Sequence, residues 1–160
     1  MNNTMKLSEL KLGYKIIVGY IVFQIIGHVI NGFNFRYQDF LFFGFYFTFQ
    51  NALLIFSIGM IIVAVFKIAA IIKVPEWAFN YLFIVYSLEI INSLFNSVRW
   101  FWDSEAIVQS RLDLIPAGMT AVGYIEMMKF TGIITFLLTA IINGVILVYV
   151  YKNKEHFKKK

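Results

Sequence analysis

The sequence predicts an all-α, polytopic membrane protein: a bundle of four transmembrane helices with a short amphipathic outer segment. Hydrophobic residues make up 60% of the 160 residues and charged residues only 14%, and the mean hydropathy is +0.74. Soluble domains carry about 25% charged residues, so this chain has too few polar side chains to cover a water-exposed surface. Four apolar runs are each long enough to cross about 30 Å of hydrocarbon. Residues 1–160 are therefore expected to form a single integral membrane domain.

The four apolar runs set the predicted spans. The first covers 12–31, and no small-x-small motif follows it, so we interpret it as a retained span rather than a cleaved signal peptide. The second lies within the apolar stretch 40–72, which is longer than a bilayer is thick. Its core is predicted at 44–66, with Lys67 snorkelling toward the headgroups. The third is predicted at 77–102 and the fourth at 130–150.

The segment 103–129, between the third and fourth spans, is too long for a simple turn. Val108, Leu112 and Ile115 recur at helical spacing before a break at Pro116 to Gly118. This pattern predicts a short interfacial or lid helix over the outer face, and a plain linker is the alternative.

The distribution of cations predicts the orientation. Four spans place both termini on one side of the membrane, and ten of the 14 cations fall on that side. They are Lys6, Lys11, Lys15, Lys67, Lys73 and the five lysines of the tail 152–160. The positive-inside rule then predicts a plasma (inner) membrane protein with cytoplasmic termini. A lysine tail at a membrane surface also accounts for the net charge of +5 without a nucleic-acid partner.

Polar residues inside the spans recur at helical spacing and indicate a shared polar face. In the third span Glu89, Asn92, Asn96 and Arg99 stand at i, i+3, i+7 and i+10. With the orientation above, most of these side chains converge on an outward-facing half-cavity. The candidate ligand- or ion-binding residues are Glu89, Asn92, Asn96, His28, Gln24, Asn51 and Arg99.

Glu89 is the strongest candidate, because an ionised carboxylate at the centre of a span costs at least about 2.5–3.5 kcal/mol. It is expected to pair with His28 or with an amide of a neighbouring helix. It would then bind a proton or cation, or form the floor of a ligand pocket; the alternative is a protonated carboxyl group that joins two helices. For Asn92 and Asn96 the alternative is interhelical hydrogen bonding, and for Arg99 an interfacial anchor.

Several chemistries are absent from the sequence. It has no Cys, and it lacks the HExxH, GxSxG, P-loop and GxGxxG motifs. His28 and His156 are predicted on opposite sides of the membrane, so they cannot share a metal within one chain. We expect no metal site, no cofactor and no enzymatic activity.

Three short motifs resemble a family of small four-span prokaryotic membrane proteins of unknown function. They are Leu12-Gly13-Tyr14 at the first span, Lys73-Val74-Pro75 between the second and third, and Tyr149-Val150-Tyr151-Lys152 before the tail. The resemblance implies a four-span fold but no assigned activity and no catalytic residues.

The leading functional hypothesis is binding of an ion, a proton or a small polar ligand in the outward half-cavity, in a transporter-like or sensing role. Four helices leave little room for an alternating-access pathway, so a homo-oligomer or a partner subunit is expected. The first alternative is a non-catalytic accessory subunit whose polar stripes are helix contacts. The second is a membrane enzyme that acts on lipid.

Overall fold

Four long helices form the molecule. The computed structural model describes residues 7–32, 40–47, 51–109 and 115–158. The helices are α1 (Leu12–Gly32), α2 (Ala52–Lys73), α3 (Ala78–Gln109) and α4 (Ala121–Lys152), with short 3-10 turns at Leu7–Glu9 and Lys154–Phe157. All four are long and apolar enough to cross a membrane. The predicted all-α, four-span fold is confirmed, and these helices identify the chain as a multi-pass membrane protein.

The second span begins later than predicted, because the chain forms a β-hairpin before it. Strands β1 (Phe40–Phe42) and β2 (Phe45–Phe47) pair antiparallel, with Phe42 opposite Phe45. Phe43 and Gly44 at the turn have φ of 48° and 77°. Two successive positive φ angles are typical of a tight hairpin turn and are incompatible with a right-handed helix. The prediction that the helix core starts at residue 44 is therefore wrong, and α2 starts at Ala52.

The segment after the third span is also more helical than predicted. Helix α3 continues through a kink at Asp103, which has non-helical angles (φ −113°, ψ 16°), and ends at Gln109. Helix α4 begins at Ala121 rather than at 130, because the Thr120 hydroxyl accepts a hydrogen bond from the Gly123 amide at 3.1 Å. A separate amphipathic helix was predicted from three apolar residues, of which Leu112 lies outside the described residues. The first turns of that segment belong to α3.

The two helical hairpins meet at one end of the bundle, which we call the terminal end because α1 begins and α4 ends there. Helix α1 packs along α2, and α3 packs along α4. Tyr14 of α1 is fully buried, 5.0 Å from the Tyr149 ring and stacked 4.4 Å from His156. The buried apolar core consists of Leu10, Tyr14, Ile17, Val18, Ile21, Ala64, Ala70, Ile71, Val74, Ala78, Leu82, Tyr86, Ile146, Val150 and Phe157. Most of it lies toward the terminal end, which it closes.

At the opposite end, which we call the loop end, the β-hairpin lies between α2 and α3. The Phe42 ring packs on Phe56 of α2 with ring centroids 5.4 Å apart. The hairpin turn is hydrogen-bonded to Asn92 and Asn96 of α3. The hairpin therefore fills the space between these two helices, where the bundle is wider.

Gly13 allows α1 to approach α4 at the terminal end, and replacing it tests this closure. A Cβ atom at Gly13 would lie 2.3–2.5 Å from three atoms of the Tyr149 side chain. We expect Gly13→Ala to destabilise the protein by about 1–3 kcal/mol, as overpacking does. The measurement is thermal unfolding in a mild detergent.

Gly19→Ala on the same helix is the matched control. A Cβ atom at Gly19 has nothing within 4 Å, and alanine favours the helix by up to about 1 kcal/mol. Equal melting temperatures for the two variants would show that Tyr149 does not hold α1 in place.

Candidate functional site

A cavity of about 430 Å³ lies between the helices, on the loop-end side of the core. Its walls consist of one polar stripe from each of three helices, and α2 and β1 add apolar side chains. The stripes are Tyr20, Gln24 and His28 of α1; Glu89, Asn92, Ser93, Asn96 and Ser97 of α3; and Thr131, Thr135, Thr139 and Asn143 of α4. In each helix the residues recur every three or four positions, which places them on one face.

A buried ion pair forms the floor of this cavity. Lys67 of α2 is only 1% exposed and pairs with Oε1 of Glu89 on α3, whose side chain is 15% exposed. The Lys67 ammonium also lies 3.5 Å from Oε1 of Gln24 and 4.4 Å from the centre of the Tyr86 ring. Asn143 of α4 donates to Oε2 of Glu89 at 3.1 Å. One charge pair thus connects side chains from all four helices.

The position of Lys67 corrects a sequence-based prediction. The prediction that Lys67 snorkels to the headgroups is wrong, because α2 starts at Ala52 and continues to Lys73. Lys67 therefore lies six residues, about 9 Å, inside the end of its helix. A charge at that depth requires a counter-charge, which Glu89 supplies. Glu89 was predicted to pair with His28 or with an amide of a neighbouring helix. In the structure the amide is that of Asn143, and Lys67 is the partner in place of His28.

Asn92 and Asn96 bind the backbone of the β-hairpin. Asn92 accepts from the Phe43 amide at 2.7 Å, and Asn96 accepts from the Gly44 amide at 2.9 Å and donates to the Leu41 carbonyl at 3.1 Å. A non-helical segment within a membrane protein needs such internal partners, because lipid offers none. These two residues therefore both line the cavity and hold its hairpin wall.

Burial also shifts the ionisation of a tyrosine in the hairpin. It raises the pKa of Tyr46, on β2, to about 12. A tyrosine keeps its proton at physiological pH with or without this shift, which extends the protonated range to higher pH.

The other predicted residues divide into two groups. Gln24 and His28 line the cavity; Gln24 donates to the Tyr20 hydroxyl at 3.2 Å, and the His28 ring lies 6.2 Å from the Phe56 ring. Asn51 is exposed at the start of α2 with φ of 61°, away from the cavity lining. Arg99 also lies outside the lining, with a 48% exposed side chain that pairs with Asp103.

Both departures have a simple geometric cause. Residues 44–47 are not helical, so helical spacing does not place Asn51 on the face expected from the sequence. On α3, Arg99 lies two turns beyond Asn92 toward the loop end, and its side chain pairs with Asp103 there.

The structure leaves one buried acceptor in the cavity wall without a partner. Asn143 is 1% exposed, and its Oδ1 atom has no hydrogen-bond partner within the part of the chain that the structure describes. Buried amide oxygens are rarely unpaired in folded proteins. This oxygen is also closed to water, so donation to Glu89 is the hydrogen bond that holds the Asn143 side chain.

The charge of the lining restricts what it can bind. Among the described residues that form the cavity wall, Glu89 is the one acid, and none is Lys or Arg. Within the described ranges, no group of three or more His, Asp and Glu side chains is arranged to hold a metal ion. The wall offers hydroxyl and amide groups, and its one carboxylate is neutralised by Lys67.

Comparisons with protein-family models, curated proteins and solved structures found no match to this chain. The resemblance to a small four-span prokaryotic family stays a prediction. The function has to be argued from the cavity and from the distribution of charge.

Removing either partner of the buried pair should destabilise the protein, and Glu89→Gln should cost more than Lys67→Met. Truncating one member of a buried pair typically costs about 3–5 kcal/mol. Lys67 is 1% exposed, so Glu89→Gln leaves a charge that water cannot reach. Glu89 lines the cavity, so Lys67→Met leaves a carboxylate that cavity water can solvate.

The double variant Lys67→Met/Glu89→Gln should recover much of the loss, because it leaves no unpaired charge. Lys73→Met, at an exposed position on the same helix, is the control and should have little effect. The measurement is the free energy of unfolding in detergent. Additive losses in the double variant would contradict a direct interaction between the two side chains.

Asn96→Ala should loosen the hairpin without unfolding the bundle. The variant removes two hydrogen bonds, one to the turn at Gly44 and one to Leu41 in β1, each worth about 0.5–1.5 kcal/mol. We expect faster hydrogen exchange in residues 41–47 and unchanged exchange in the centre of α4, measured by mass spectrometry. Unchanged protection of the hairpin would mean that Asn96 does not hold it.

Proposed function

We propose that this protein binds a small polar ligand in the cavity, from the non-cytoplasmic side of a plasma (inner) membrane, in a transporter-like or sensing role. The observation that carries this proposal is a polar cavity of about 430 Å³ above a charge-paired floor. Its volume is within the usual range for small-molecule sites. Polar side chains within membrane spans are costly, and they commonly mark a ligand or ion pathway.

The electrostatics favour an uncharged ligand over an ion. Lys67 already occupies the position beside Glu89 that a bound cation would take, and Asn143 binds the second carboxylate oxygen. An anion would meet no Lys or Arg among the wall residues that the structure describes. A hydroxyl- or amide-bearing solute satisfies these conditions.

The charge distribution supports cytoplasmic termini even after Lys67 is assigned to the interior. Nine cations then remain on the terminal side and four on the other, and with Lys67 they account for the 14 in the chain. The positive-inside rule gives the same orientation as before. The loop end, and with it the cavity, then faces the non-cytoplasmic side.

Sensing and transport place different requirements on the closed terminal end. The aromatic cluster around Tyr14 closes that end, so a ligand would not reach the cavity through it. Sensing requires only this arrangement. Transport additionally requires the Tyr14 cluster to open, and in a bundle of four helices this favours an oligomer.

One observation favours the accessory-subunit alternative for part of the site. Asn92 and Asn96 use their side chains to hold the hairpin, which is a structural role. The stripes of α1 and α4 face the cavity instead, and the floor carries a buried charge. The binding proposal accounts for both of these features.

Accessibility of single cysteines tests whether the cavity is open to water. The chain has no Cys, so single variants need no modified background. We expect Ser93→Cys and Thr135→Cys, in the cavity wall, to react with a membrane-impermeant thiosulfonate added from the non-cytoplasmic side. The readout is the labelling rate in intact cells.

Two positions outside the cavity wall serve as controls. Ser57 is 2% exposed, and Leu138 is a half-exposed apolar residue of α4 that does not line the cavity. Ser57→Cys and Leu138→Cys should therefore label slowly. Equal rates at all four positions, or labelling of the cavity positions only from the cytoplasmic side, would overturn the proposal.

A further inference from the structure

The cavity has an open side between α1 and α4. In the part of the chain that the structure describes, the hydrogen bonds and ring contacts between these helices lie at the terminal end. There Lys11 binds Asn153, just after α4, at 2.9 Å, and Tyr14 packs on Tyr149. Toward the loop end, the stripe from Tyr20 to His28 faces the threonines of α4 across the cavity. The separation between α1 and α4 therefore increases with distance from the terminal end.

The corresponding space between α2 and α3 is filled. The β-hairpin lies there, with Phe42 on Phe56 and its turn bound to Asn92 and Asn96. Neither of the two described strands lies between α1 and α4. The cavity is therefore walled on the α2–α3 side and open on the α1–α4 side, within the described ranges.

The edges of this opening are apolar. On α1, Ile21 is buried in the core, and Phe23, on the other side of the polar stripe, is 72% exposed. On α4, Gly132 faces Ser97 and Trp100 of α3, whereas Leu138, on the opposite side of the stripe, is 55% exposed. Behind these edges Thr135 lines the cavity and is itself exposed. A polar interior thus lies directly behind a rim that contacts hydrocarbon.

We propose that the ligand is a membrane amphiphile with an uncharged, hydroxyl-bearing head group, which enters sideways between α1 and α4. This inference rests on the proposed binding function and specifies its ligand class. The head group would lie among the amide and hydroxyl side chains of the cavity wall. The acyl chains would leave past Phe23 and Leu138 into the bilayer.

The opening and the lining together select this class of ligand. Polar side chains facing acyl chains are costly, because lipid offers no hydrogen-bond partners. An amphiphile satisfies the polar stripes with its head group and fills the opening with its chains. The described part of the wall contains no Lys or Arg, and there a phosphate head group would lack the counter-charges that usually bind it. A glycerol or monosaccharide head group carries hydroxyls without such a charge.

Photocross-linking in phosphatidylcholine vesicles tests the proposal on the full chain. The probe is a diacylglycerol with a diazirine in one acyl chain, and the matched probe is phosphatidylglycerol with the same chain. We expect the diacylglycerol to label peptides containing Phe23 or Leu138, with about tenfold preference over phosphatidylglycerol, the effect of one unsatisfied polar interaction. Excess unlabelled diacylglycerol should abolish the labelling.

Two variants on one helix locate the opening. Thr135→Phe places a large side chain in the cavity wall and should reduce labelling by about tenfold, equivalent to losing one well-made polar contact. Leu137→Phe adds the same side chain at an exposed position outside the lining and should leave labelling unchanged. If Thr135→Phe fails to fold, competition on the unmodified chain still decides the outcome.

The possible failures are distinguishable. Equal labelling by phosphatidylglycerol would overturn the claim that the site selects an uncharged head group. If glycerol or glucose protects Ser93→Cys from the thiosulfonate while neither lipid labels the opening, the polar-ligand function stands and the lipid inference fails. If Ser93→Cys is not accessible at all, both fail. Disulfide formation between Phe23→Cys and Leu138→Cys on two copies of the chain would show that a second copy closes the opening, which would also overturn the inference.

Discussion

The buried pair of Lys67 and Glu89 is the constraint on which the rest of the structure depends. Lys67 is 1% exposed in the interior of a span, so it can keep its charge only with a partner at the same depth. Glu89 supplies that partner from α3, and Gln24 and Asn143 bring in α1 and α4. Because the pair joins the two helical hairpins, it fixes how they meet. Because Glu89 also reaches the cavity, it fixes the charge of the floor.

The two ends of the bundle differ because different interactions hold them. At the terminal end, large apolar and aromatic side chains such as Tyr14 and Val150 are fully buried, and Gly13 lets α1 approach Tyr149. Toward the loop end, the inner faces of α1, α3 and α4 carry amides and hydroxyls, which do not pack into an apolar core. The helices stand apart there, and hydrogen bonds from α3 hold the β-hairpin in one of the two gaps.

Much of this arrangement could be predicted from residue spacing. The helix class, the first span and the polar faces of α1, α3 and α4 follow from apolar length and helical periodicity, which are local properties. The start of α2 could not be predicted in this way, because Phe43 and Gly44 are as apolar as a span, and their turn is recognisable only from backbone conformation. The positions of Lys67 and Asn51 depend on that start, so both were misplaced. A lysine within an apolar run was nevertheless a signal for a buried partner.

The pair also links stability to ligand selection. A floor with a single unpaired carboxylate would attract cations, and one with a single lysine would attract anions. Pairing them cancels both attractions and leaves hydrogen bonding as the means of recognition in the cavity. The same cancellation makes it possible to keep two charges inside a membrane protein at moderate cost. A chain that replaced the pair with apolar residues would have no charged link between its two helical hairpins. It would lose the polar floor, and with it the reason for a ligand to enter the bundle to this depth.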